Sequence, residues 1–216
     1  MVIVKKAAGV KLVAKGRKDK SHSCSIRGAR GLPLCFQEIS PKDKATLSYQ
    51  MRGRIFDPTI AIGIAKYCKW GKPQVLLCAP LYRMKPFPTT FWLSCPFLAM
   101  RCSKLEASGG VRELEEFLKK RKSKWEWHAF NVKHAILRVS LLSLGERKFL
   151  QKARKNVLDK LRLSGIGGIA YRDEISIKCL HLQVASWIAL REHPADDWLK
   201  ARFAAIECED PGSFCQ

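Results

Sequence analysis

Long apolar runs are missing from the sequence: the longest, Thr59 to Ala65 and Val75 to Leu81, fall far short of the ~20 residues a membrane helix needs. Acidic residues are scarce. Nineteen Asp and Glu stand against forty Lys and Arg, a formal net charge of +21 that excludes acidic or near-neutral behaviour. Apolar patches near the start are broken by Lys5, Lys6, Lys11 and Lys15, so no secretory h-region is expected. Nine cysteines, an odd number scattered through a Lys-rich chain, point to a reducing cytoplasm rather than a disulfide framework. Motifs that name a reaction are absent too: there is no Gly-x-Ser-x-Gly, no HExxH and no Cys-x-x-Cys pair. Gly165-Ile166-Gly167-Gly168-Ile169 lacks the Gly-Lys-Ser/Thr of a P-loop, so no phosphate cradle is expected there. Whether the protein is an enzyme is left open.

The sequence does supply core material: 216 residues with 47% hydrophobic content and six Trp suit one compact domain. Residues 1–39 carry nine Lys and Arg against Asp19 and Glu38 and read as a basic, flexible N-terminal arm. Ser40 followed by Pro41 is an N-cap with proline at the first helical position, so a single α+β domain is expected over 40–216. Thr59 to Cys68 and Gln74 to Ala79 flank a Gly71/Pro73 turn and read as a hairpin; Thr89 to Ser94 and Glu174 to Lys178 are further strand candidates. The expected sheet is small, mainly antiparallel and covered by helices. These run from Pro96 to Ala107, Val111 to Lys122, Trp125 to Leu144, Glu146 to Leu163, Cys179 to Glu192 and Ala195 to Ile206.

Cys68, Cys95 and Cys179 fall at the ends of these elements, and a thiol beside the free amides of a helix N-terminus is biased toward the thiolate that metals and electrophiles require. The trio is expected to bind zinc or an iron–sulfur cluster, with His181 or Cys208 as a further ligand. Reactive thiols and plain packing are the alternatives, and packing suits Cys78 and Cys102. On a helix a separation of two points Cys179 and His181 to different faces, so they share a metal only if the turn there is irregular. His128 and His134, six apart, share no zincin-like face and read as surface or partly buried polar residues.

In 146–163 Phe149, Leu150, Ala153, Val157, Leu158 and Leu161 suit a core face, while Lys148, Lys152, Lys155 and Arg162 form a basic stripe that can track phosphates. Nucleic acid or another polyanion is therefore a candidate partner; a solvated helix face is the alternative. Trp125, Trp127, Trp187 and Trp198 suit either a protein-docking surface or the core.

Several segments together resemble the bacterial family known as domain of unknown function 501: Phe87 to Pro96, Leu105-Glu106-Ala107-Ser108-Gly109, Gly165 to Ile169, Lys178-Cys179-Leu180-His181, and the turn with Cys68, Gly71 and Pro73. The resemblance spans roughly residues 40–190. It implies recurrent cysteines at Cys68, Cys95 and Cys179 with a His at His181, and carries over no established activity. Where relatives carry a His before the first cysteine and another after His181, this chain has Lys66 and Gln183.

Overall fold

A computed structural model describes residues 36–121, 124–170 and 174–215, so the expected basic arm, apart from residues 36–39, lies outside the described residues. Helix α1 (Pro41–Gln50) starts as the sequence indicates. The Ser40 hydroxyl accepts from the Asp43 amide at 3.2 Å while the Asp43 carboxylate accepts from the Ser40 amide at 3.0 Å, a reciprocal cap behind Pro41.

The expected hairpin is β1 (Ala61–Tyr67) and β2 (Pro73–Cys78), antiparallel and joined through Gly71 at φ +69°. After a small ribbon of β3 (Leu81–Tyr82) and β4 (Lys85–Pro86), β5 (Phe91–Leu93) pairs antiparallel with β2, giving the order β1-β2-β5. Central β2 is buried along its length, and its alternating residues feed two cores. Val75 and Leu77 join the main cluster with Leu98 of α2 (Pro96–Ala107) and Leu180 and Val184 of α7 (Leu180–Leu190). Leu76 packs on the other face with Ile64, Leu47 and Met51. The fold is α+β.

Phe36 and Gln37, expected in the arm, are part of this fold. Gln37 exchanges backbone hydrogen bonds with Ile64 at 2.9 and 2.8 Å, and Phe36 is buried. The crossing is close enough that a Cβ on Gly63 would stand 2.4 Å from Phe36 Cδ2, which explains a glycine inside β1.

Three expectations about elements fail for identifiable reasons. Glu174 to Lys178 forms no strand: Ile175 and Ile177 bury alternately, but the Ile177 amide donates to Glu115 Oε1 of α3 (Gly110–Arg121) at 2.7 Å instead of to a neighbouring strand. Helix α4 (Lys124–Ser140) stops before Leu144, because Ser143 caps α5 (Leu144–Ala153) reciprocally with Glu146. The expected single helix 146–163 is then split between α5 and α6 (Lys155–Leu163) at Arg154, which sits at φ −144°, ψ 49°. The bend closes a satellite core of Leu142, Leu150, Val157, Leu158 and Leu161, and it leaves Phe149 and Ala153 exposed. Helix α8 (Asp196–Arg202) buries Trp198 and Leu199 against the main core.

That core holds His134 and His193 as neutral bases. The Ala195 amide donates to His193 Nδ1 at 2.9 Å, so Nε2 carries the proton and donates to Gln183 Oε1 at 2.8 Å. Burial lowers both imidazoles from 6.5 to about 3. A base depressed on folding binds fewer protons in the native state, so its contribution is complete above pH 6.5 and is lost as pH falls toward 3. Acidification from about pH 6.5 to about 5.5 should lower stability by about 2 kcal/mol for the pair, read as a drop in urea midpoint. His193→Gln should remove about half of that slope; an unchanged slope would refute the assignment.

Candidate metal centre

Helix α7 begins without the usual cap. Cys179 is its N-cap residue, extended at φ −164° and ψ 158°, and its side chain makes no capping hydrogen bond. The acceptor comes from α2 instead. Glu106 Oε1 accepts from the Leu180 amide at 2.5 Å and from His181 Nδ1 at 3.0 Å, with the His181 amide at 3.4 Å. A carboxylate on free amides at the positive end of a helix is a charge-assisted arrangement. It fixes the imidazole with its proton on Nδ1, which turns the Nε2 lone pair toward the Ser103 hydroxyl at 3.4 Å.

Because Cys179 precedes the helix, the two-residue separation from His181 does not drive the side chains apart. Ligand atoms of Glu106, Cys179 and His181 all lie within 4.8 Å of one another, and they are the one such group of three among the described residues. The site is partly open: the Glu106 and His181 side chains are 25% and 26% exposed. Burial raises the Cys179 thiol above its ordinary range, more than the Leu182 and His181 amides lower it, and Glu106 adds to the rise. The expected thiolate bias of a helix N-terminus is therefore outweighed here. Cys95, the N-cap residue of α2, behaves alike: burial pushes it up to about 12 against the Leu98 and Phe97 amides.

The other expected ligands gather elsewhere. Cys68 lies in the β1–β2 turn, where the Trp70 indole donates to the Cys208 carbonyl at 3.0 Å. Cys95 donates its amide to Gln74 O at 3.3 Å, and Gln50 Nε2 donates to both Pro73 O at 2.9 Å and Cys215 Sγ at 3.1 Å. Cys68, Cys95, Cys208 and Cys215 thus surround the start of β2. Cys95 and Cys208 are raised by burial first and then by the neighbouring Cys215 and Cys68, and Cys215 by burial and by Cys68. No three of these thiols form a group within 4.8 Å. Cys179 is felt instead by Cys102, which is fully buried like Cys78.

Glu106 was missed as a ligand because a glutamate in the last turn of a helix looks like surface. Its signal was a Cys, rather than Ser, Thr, Asp or Asn, at the cap position of α7, which leaves amides that need an acceptor. Lys148, Lys152, Lys155 and Arg162 are exposed, but the bend at Arg154 interrupts their stripe and Arg162 stands 3.8 Å from Asp159. Trp127, Trp187 and Trp198 are core residues; only Trp125 of the quartet, 72% exposed, faces outward, stacked on half-buried His128. No helix among the described residues is long and apolar enough to cross a membrane.

A family model described as a protein of unknown function, DUF501, matches residues 64–201. The chain belongs to this family. No curated protein and no solved structure matches it. The DUF501 match begins later than the resemblance read from the sequence and runs farther. It takes in Cys68, Cys95, Glu106, Cys179 and His181 but ends before Cys208 and Cys215.

Removing the acceptor from α7 should be costly. Glu106→Ala should destabilise the protein by about 1.5–3 kcal/mol, the range for hydrogen bonds to a charged group, and speed hydrogen exchange at the Leu180 and His181 amides. Glu106→Gln, which keeps the acceptor oxygen, should lose less. Equal loss in both variants would contradict a capping role.

Proposed function

We propose that this DUF501 protein binds a transition-metal ion, zinc by its donor set, through Glu106, Cys179 and His181. The observation that carries the reading is the mutual approach of three different donor types to within 4.8 Å. Tetrahedral zinc with bonds of about 2.0–2.3 Å brings donor atoms roughly 3.3–3.8 Å apart, so the donors reach one ion by rotamer adjustment, with the imidazole proton moving from Nδ1 to Nε2 beside the Ser103 hydroxyl when Nδ1 ligates. One thiolate, one imidazole and one carboxylate suit zinc; an iron–sulfur cluster asks for more thiolates than this site offers. Three protein ligands leave a fourth position for water or substrate, the arrangement of reactive rather than purely structural zinc. Because burial keeps the Cys179 thiol protonated, metal loading displaces a proton.

The test is metal analysis of the purified chain after chelation and reloading, followed by cobalt substitution. One equivalent should be retained, with a sulfur-to-cobalt charge-transfer band, and affinity should rise up to about tenfold per pH unit while the thiol remains protonated. His181→Ala and Cys179→Ser should each weaken binding by more than the roughly 10–100-fold that loss of an outer partner costs. Retention that ignores both substitutions would refute the reading.

A second reading rests on the four thiols around the start of β2, three of them buried: Cys95, Cys208 and Cys215. With Cys68 they would form a sulfur-only structural zinc site tying the C-terminal segment to the sheet. It predicts that Cys95→Ser and Cys208→Ser abolish metal retention while His181→Ala leaves it intact.

A further inference from the structure

A cavity of about 560 Å³ opens between α6 and the segment Pro86–Pro88, a size suited to a small ligand. Lining it is Arg138 of α4, a side chain 1% exposed. Its guanidinium donates to Ser164 Oγ at 2.8 Å, to Ser164 O at 3.3 Å and to Phe87 O at 2.6 Å, all neutral acceptors. Nε–H has no partner, and no carboxylate pairs with the charge among the described residues. Burial lowers Arg138 to about 10, so it stays cationic at neutral pH. A buried cation compensated only by carbonyls and a hydroxyl is an expensive arrangement, and an anion held in the cavity would offset it.

The rest of the cavity supports an anion with an apolar body. Lys160 and Asn156, one turn apart on α6, share this wall; Pro86, Pro88 and Leu163 supply apolar surface. Asp159 is also on the wall, but Arg162 stands 3.8 Å from its carboxylate and offsets it. Gly167 and Gly168 also line the cavity, at φ +69° and +76°, conformations that L side chains seldom adopt and that let the backbone come close. We propose that this cavity is a receptor for a small organic molecule bearing a phosphate or carboxylate, with Arg138 and Lys160 holding the oxyanion and the proline wall holding the body.

The experiment titrates the intact chain at constant ionic strength with phenyl phosphate, benzoate and phenol, following the Gly167 and Gly168 amide resonances. Phenyl phosphate or benzoate should bind saturably at one equivalent, the tighter of the two naming the oxyanion, while phenol should not. Lys160→Glu, an exposed change expected to leave the fold intact, should weaken binding by about tenfold or more, the worth of one charge-assisted hydrogen bond. Lys148→Glu, the same charge change outside the cavity, should stay within about twofold. Absence of saturation, equal binding of phenol, or equal loss in the two charge variants would overturn the proposal, the last because it reports only the general field of a +21 chain.

Discussion

The Glu106 carboxylate on the first amides of α7 is the contact from which the candidate centre follows. Helix α7 buries Leu180, Val184, Ala185 and Ile188 in the main core, so its placement sets the packing against β2 and α2. Its start has no capping side chain of its own, and Cys179 there is extended rather than helical. Glu106 supplies the acceptor from a different helix, and in doing so brings a carboxylate, an imidazole and a thiol together. The same bonds stabilise the fold and assemble the donors. Structure and chemistry are not separable at this point of the molecule.

What could be read from the sequence was local. Ser40-Pro41 announces α1, and the β-branched residues flanking Gly71 and Pro73 announce the hairpin. The start of α5 carries a signature that the expected break at Gly145 overlooks: Ser143 and Glu146 form Ser-x-x-Glu, and the helix runs through Gly145. The break at Arg154 has no such signature, since Ala153, Arg154 and Lys155 are all good helix formers. Packing of Leu150 against Val157 and Leu158 decides it. The Ile-Ser-Ile alternation at 175–177 correctly marks burial but cannot say whether a partner strand exists, and here Glu115 takes that place.

The candidate site divides along the same line. Element ends identified Cys68, Cys95, Cys179 and His181 as residues to watch, yet which of them meet depends on tertiary packing. The fold sends Cys179 and His181 to Glu106, while Cys68, Cys95 and Cys208 go to the start of β2 beside Cys215. The glycine loop joins the proposed oxyanion cavity to the centre. A Cβ on Gly167 would stand 3.1 Å from Leu182 Cδ1 and 3.4 Å from Lys178 Cβ, so the loop rests against the first turn of α7. Gly167 is therefore needed for close packing as well as for its backbone conformation, whereas Gly168, whose added Cβ would meet Pro88 only at an ordinary 3.8 Å, is needed for its backbone conformation alone.

X-ray absorption at the zinc edge, on protein loaded with one equivalent of zinc, tests the central claim most directly because it reads donor identity without mutation. The account predicts one sulfur at about 2.3 Å with nitrogen and oxygen neighbours at about 2.0–2.2 Å. A first shell of four sulfurs, or zinc surrounded only by water oxygens, would contradict it.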